Sequence, residues 1–169
     1  PSFFVPQNTI SDASTFVRPP SLRGLGADQI LVMINGKRYN RAALVQVYSG
    51  GDTALSYGSQ GSDVSNIPAI AIKNLQILRD GATAQYGSDA IAGVINYVLR
   101  DDTGFDAQGL WGQNYKKDGD RWQVAANAGF KLGDGGFVNF SGEYWDEKGT
   151  SRGATRPIAA VLATVNPSV

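Results

Sequence analysis

The chain has 169 residues, with 15 Lys and Arg against 15 Asp and Glu, so its formal net charge is zero. That balance gives no reason to expect a nucleic acid or an anionic membrane surface as partner, and the length suits one ordinary domain core, or a small domain plus a piece of another. Cysteine and histidine are both absent, which removes disulfides, thiolate catalysis, Cys-based metal sites, the usual general base near neutral pH and the commonest metal ligand.

The first residue, Pro1, opens no charged-then-apolar leader, so any targeting segment is expected upstream. No apolar run approaches the roughly 20 residues of a membrane-spanning helix. Residence in a membrane would therefore require β-strands. Residues 1–100 read as a compact mixed domain. Gly24-Leu25-Gly26 partly mimics a nucleotide-binding loop, but it precedes a strand rather than opening a helix, which excludes that chemistry. Ile30-Leu31-Val32-Met33-Ile34 is a continuous apolar run, the pattern of a strand buried on both faces. It ends at Asn35-Gly36, a strong tight-turn dipeptide, and Lys37-Arg38-Tyr39 returns.

Residues 49–62 are glycine-rich and without periodicity, as a loop requires. Ile67 to Ile72, with Pro68 in its first turn, predicts a short helix over 67–73. Asn74 to Leu78 alternates as a strand, and a second short helix is expected over 81–87. Asp80 and Asp89 are placed to cap that segment. Ile91 to Leu99 reads as a third strand, crossed by Gly93 where a neighbouring backbone comes close.

Beyond a division near Asp101-Asp102 the pattern changes. Phe105, Ala107, Gly109 and Trp111 alternate imperfectly with Asp106, Gln108, Leu110 and Gly112. Trp122, Val124, Ala126, Ala128, Phe130 and Leu132 alternate cleanly with Arg121, Gln123, Ala125, Asn127, Gly129 and Lys131. Val138, Phe140 and Tyr144 then share one face, and Asn139, Ser141 and Glu143 the other. Segments of about ten residues, apolar on one face and small or polar on the other, are the signature of transmembrane β-strands. A soluble antiparallel sheet with one wet face gives the same alternation. The connections favour the membrane: a polar loop at 116–120, a short Gly133-Asp134-Gly135-Gly136 turn, then a long irregular tail after Glu147.

The run Leu78-Arg79-Asp80-Gly81-Ala82-Thr83-Ala84-Gln85-Tyr86-Gly87-Ser88-Asp89-Ala90-Ile91-Ala92-Gly93-Val94-Ile95-Asn96 resembles the signature closing the plug domain of TonB-dependent outer-membrane receptors. Leu22-Arg23-Gly24, the 30–38 hairpin and the 67–81 helix and strand resemble the same family's motifs in the same order. The resemblance implies an α+β plug domain (a small mixed sheet with short helices) at 1–101, followed at 102–169 by the first three antiparallel strands of a transmembrane β-barrel. The chain would then be a fragment of a larger one, since bacterial barrels need at least eight strands.

The implied function is plug-gated, energy-coupled import of a siderophore, a cobalamin-like chelate or an oligosaccharide across the bacterial outer membrane. Implied partners are a TonB-type inner-membrane energy-coupling protein, a small-molecule substrate and outer-membrane lipid, with no cofactor and no metal. Arg23 and Arg79 stand where the family pairs plug arginines with glutamates of the barrel wall. A guanidinium keeps its charge when buried, so each needs such a partner. Gly24, Gly36, Gly81, Tyr86, Gly87 and Gly93 are motif positions with a structural reading: positive φ or close packing for the glycines, a packed ring for the tyrosine. Within residues 39–62, Tyr39, Asn40, Arg41, Tyr48 and Tyr57 are the candidate ligand contacts. The rival reading is a soluble periplasmic ligand-binding module. Enzyme chemistry finds no support, because nothing groups the Asp and Glu residues into a reacting pair.

Overall fold

The computed structural model describes residues 3–4, 17–45, 57–79 and 83–150. Its strands are β1 (Phe3–Phe4), β2 (Ser21–Leu22), β3 (Ile30–Ile34), β4 (Lys37–Arg38), β5 (Ile72–Leu78), β6 (Gly93–Leu99), β7 (Gly104–Gly112), β8 (Arg121–Leu132) and β9 (Gly136–Glu147). One short helix, α1 (Thr83–Tyr86), and 3-10 turns at Ala27–Gln29, Ala69–Ala71 and Ser88–Ala90 complete the described elements. No helix among the described residues is long and apolar enough to cross a membrane.

The central sheet has the order β4-β3-β6-β5. β3 and β6 are parallel, Ile30 opposite Gly93 through Ile34 opposite Tyr97, while β4 and β5 run antiparallel to their neighbours. A strand in the middle of a covered sheet needs apolar residues on both faces, and β3 has them. Ile30 and Val32 join Leu22, Ala92, Ile95 and Tyr97 in one core cluster, and Leu31 and Met33 join Ala90 and Val94 in another. Burial pushes the Tyr97 hydroxyl's pKa up. β1 adds a two-residue pairing to β2, Phe3 opposite Leu22.

Three sequence expectations shift in detail. The helix expected over 67–73 is only the 3-10 turn Ala69–Ala71, and β5 starts at Ile72 rather than Asn74. Pro68 does stand at the entry. The amide of Arg100 then takes the Ala71 carbonyl, and β-branched Ile72 pairs with Leu99, so strand pairing overrides a second helical turn. A register shift between Ile72 and Asn74 absorbs the change. The helix expected over 81–87 is α1 from Thr83; Gly81 and Asp80 lie outside the described residues. β6 begins at Gly93 rather than Ile91, whose αR backbone and exposed side chain belong to the preceding bend.

The final sheet has the order β7-β8-β9, antiparallel through the tight 133–135 turn. The exposure of its middle strand is inverted relative to a water-soluble sheet. On β8 the small or polar Ala125, Asn127 and Gly129 are buried, whereas Trp122, Val124, Phe130 and Leu132 are exposed. Cross-strand aromatic pairs line that exposed face, Phe130 with Phe140 at 6.4 Å and Trp122 with Tyr144 at 5.1 Å between ring centroids. Water cannot favour such a face.

The chain divides into two compact units, residues 1–108 with 125–143, and residues 109–124 with 144–169. Within the second, the amide of Asn114 bonds the Asp118 carbonyl and Asp120 accepts from Gln113 and Lys148, closing the loop between β7 and β8.

Candidate functional site

The site is built at one end of the central sheet. Asn35 and Gly36 both have positive φ, 49° and 75°, as the two centre positions of a hairpin turn matched to strand twist. That turn is held from β6: Asn96 Oδ1 accepts from the Gly36 amide at 2.9 Å, and Asn35 Oδ1 from the Leu99 amide at 2.8 Å. The returning chain follows the β3 edge, the Tyr39 amide donating to the Val32 carbonyl. Arg38, Tyr39, Asn40 and Arg41 are thereby delivered in succession to the end of the sheet where β3 begins.

There they meet Asp89 from the Ser88–Ala90 turn. Arg38 Nη1 bonds one Asp89 oxygen, and Arg41 Nη2 lies 3.1 Å from the other. Arg38 Nη2 also reaches the Tyr86 carbonyl at 3.4 Å, and Arg41 Nη2 the Asp28 carbonyl at the same distance. The Arg38 bond is the main cause holding the Asp89 carboxyl below its usual range, with burial opposing and Arg41 adding to the effect. A cavity of about 390 Å³ opens beside the cluster, lined by the start of β3, residues 38–41, Ser62 and Asp89. Two guanidiniums facing one carboxylate leave a surplus positive charge at its wall.

Of the five candidate ligand contacts, Tyr39, Asn40 and Arg41 share this cavity. Tyr39 also packs half-buried against the core. Tyr57 is exposed and does not line the cavity, and Tyr48 lies outside the described residues. Asp89 lies in the turn that follows α1 rather than at the helix start, and its oxygens are taken by Arg38 and Arg41.

The two predicted anchor arginines also come together. Arg23 has φ of 59° and Gly24 of 74°, which turns the chain sharply after β2 and aims Arg23 Nη1 at the Arg79 carbonyl, 2.9 Å away. Among the described residues neither guanidinium pairs with a carboxylate. Of the motif glycines, Gly93 is the most constrained: its φ is 143°, and a Cβ there would overlap the Leu78 carbonyl and the buried Leu22 side chain. Tyr86 is half-buried against the second core cluster.

The family model of the TonB-dependent receptor plug domain matches residues 1–94, more than half of the chain. The chain belongs to that family. Among solved structures it is similar to the siderophore receptor PirA from Acinetobacter baumannii, at 25% identity and a TM-score of 0.54. It is also similar in fold to a mutant of the ferric enterobactin receptor PfeA from Pseudomonas aeruginosa in complex with enterobactin, at 19% identity and a TM-score of 0.56. Each match covers 76% of this chain but 18% of the receptor, so the chain spans under a fifth of the length of either.

The exit from the plug sheet into β7 is tied down at several points. Lys73 of β5 pairs with Asp101, and Arg100 bridges Asp102 at 3.4 Å and Asp106 at 2.5 Å. The Lys73 hydrogen bond is the chief cause lowering the Asp101 carboxyl's pKa, and its counterpart raises that of Lys73. Farther on, Asn139 Nδ2 donates to the Asp102 carbonyl at 3.2 Å, and Gly129 leaves room for that carbonyl against β8. Buried Asn127 completes the patch by donating to Asn139 Oδ1 and to Ser141 Oγ. A buried amide costs stability unless its bonds are made, and these bonds occupy the donors of its NH2 group.

Sequence reading missed Arg38, Asp89 and the Asn127–Asn139 pair as site-builders. One signal was present. Arg38 and Arg41 are the two arginines just past the Asn-Gly turn, and Asp89 is the acid within the 83–96 signature.

Proposed function

We propose that this chain is the plug domain (1–101) and first three barrel strands (102–169) of a bacterial outer-membrane receptor. The receptor imports a scarce solute through its barrel, with the plug as gate and a TonB-type inner-membrane protein as energy source. The plug sits in the barrel lumen and faces the periplasm. One observation carries the reading: β8, the middle of the three strands that follow the plug, exposes Trp122, Val124, Phe130 and Leu132 and buries Ala125, Asn127 and Gly129. Lipid is the solvent that suits such a face.

The cavity at Tyr39, Asn40 and Arg41 is the plug's share of the ligand site. It lies at the end of the sheet opposite Leu99, from which the chain leaves for β7. Similarity to a siderophore receptor favours an iron chelate over a cobalamin-like chelate or an oligosaccharide. Arg23 and Arg79 anchor the plug to acidic groups of the barrel wall, with the Arg23 bond to the Arg79 carbonyl holding the pair in register.

The test is uptake by cells carrying or lacking the complete receptor gene. Labelled ferric chelates, cobalamin and a maltooligosaccharide are each supplied with and without a functional TonB-type partner. Receptor- and partner-dependent uptake of one of them is expected. Uptake indifferent to both, or recovery of the receptor in the soluble periplasmic fraction, refutes the proposal.

A further inference from the structure

The acid of the signature segment is held by the same arginines that face the ligand cavity. Asp89 offers one oxygen to Arg38 and the other to Arg41, and both guanidiniums stand at the cavity wall. Those side chains are about half exposed, 53% and 42%, against 25% for the carboxylate. Arg38 closes over the segment twice, through Asp89 and through the Tyr86 carbonyl. The segment's other ties are the buried Ala90, Tyr86 packed against the same core cluster, and a few backbone bonds. α1 spans four residues, the next turn three, and its described backbone bonds are Gly87 to Thr83, Ala90 to Gly87 and Ala92 to Gln29.

We infer that Asp89 is a built-in stand-in for an anionic group of the ligand, and that ligand docking displaces it. A carboxylate, catecholate or phosphate oxygen entering the cavity meets two guanidiniums whose fork geometry suits planar oxyanions. It exchanges places with Asp89, so no charge is left unpaired on the arginines. The released carboxylate turns to water, and residues 83–91 lose the clasp that ties them to β4. Occupancy of the cavity thus becomes a loosening of the signature segment leading into β6, the strand that pairs with both β3 and β5. Ion pairs this exposed are weak, which lets a ligand of ordinary affinity open the clasp. The inference rests on the reading of the 38–41 cavity as the plug's ligand site, and it adds the ligand's charge and the consequence of its arrival.

The experiment uses the complete receptor in detergent, as wild type, Asp89→Asn and Arg41→Ala. Hydrogen exchange of residues 83–91 is read without ligand, with inorganic phosphate, with anionic ferric citrate and with an uncharged ferric trihydroxamate; binding of the last two is titrated by calorimetry. Asp89→Asn should speed exchange of the segment about fivefold. In wild type, ferric citrate or phosphate should raise it towards the same level, whereas the trihydroxamate should not. Ferric citrate should bind about fivefold more tightly to Asp89→Asn and more weakly to Arg41→Ala. A response to phosphate as well as ferric citrate identifies a bare oxyanion as sufficient, and a response to ferric citrate alone identifies a chelate. Unchanged exchange in Asp89→Asn, no effect of either anion, or an equal effect of the uncharged chelate overturns the inference. The import reading is judged separately by the uptake assay and survives any of those results.

Discussion

Gly93 is the position where a single added methyl should do most damage. Its φ of 143° is one that an L-residue adopts only under strain, and a Cβ there would run into the Leu78 carbonyl and a Leu22 methyl. Neither neighbour can yield cheaply. The Leu78 carbonyl belongs to the β5–β6 ladder, where Leu78 faces Val94, and Leu22 is fully buried in the core. Backbone strain of this kind costs about 1–3 kcal/mol, and forcing extra volume into a packed core costs about another 1–3 kcal/mol. Gly93→Ala should therefore destabilise the plug by about 4 kcal/mol, a large share of the roughly 5–15 kcal/mol that holds a domain together. Gly24→Ala is the control: φ there is 74° with nothing within 4 Å of the would-be methyl, so only the αL penalty of about 1–2 kcal/mol applies. Native-state hydrogen exchange on the β5 and β6 amides reads both variants. At one decade per 1.4 kcal/mol, Gly93→Ala should cost nearly three decades of protection and Gly24→Ala about one. Equal losses, or undiminished protection in Gly93→Ala, would show that the β5–β6 junction is not packed as described.

Lys73→Gln should move the Asp101 carboxyl's titration up towards its ordinary value of 3.8, read by carboxyl carbon NMR, since the lysine's hydrogen bond is the first cause of its lowering. The sign follows from the two shifts. Asp101 favours the folded state above about 3.8 and loses that contribution as pH falls through its lower folded value; Lys73 contributes below 10.5 and loses it as pH rises through its higher one. An unmoved titration in Lys73→Gln would dismiss the pair. In the complete receptor, Arg23→Ala with Arg79→Ala should loosen the plug and raise passive leakage of small solutes through the outer membrane, and unchanged permeability at normal receptor levels counts against anchoring. Expressed alone, the 169-residue chain should need detergent, because Trp122, Val124, Phe130 and Phe140 lie exposed on one sheet; a chain ending at Arg100 should be more soluble. A monomeric, detergent-free solution of the whole chain would favour the soluble binding module instead.

What could be read from the sequence was what is local. The apolar run at 30–34 and the Asn35-Gly36 turn specify β3, the hairpin and β4 through neighbouring residues alone, and the alternation at 121–132 specifies β8 in the same way. The 69–71 turn reads in the sequence as a longer helix, because Pro68 announces a helical start but nothing local reveals that β6 will claim the next residues. The clasp of Asp89 by Arg38 spans 51 positions. The seat of the Asp102 carbonyl beside Asn139 spans 37. Contacts at such distances leave no periodic trace, which is why Asp89 reads as a cap in the sequence and as an arginine partner in the fold.

The parallel pairing of β3 with β6 has a consequence for the protein's birth. Ile30 finds its partner at Gly93, sixty-three positions later (93 − 30). The most apolar segment of the plug is therefore made early and must wait for the rest of the domain before either face is covered. Long-range parallel pairing is slow to form because the intervening loop must close first, and an unpaired run such as Ile30-Leu31-Val32-Met33-Ile34 templates aggregation in the interval. A nascent plug of this design carries its stickiest strand uncovered until β6 has been made.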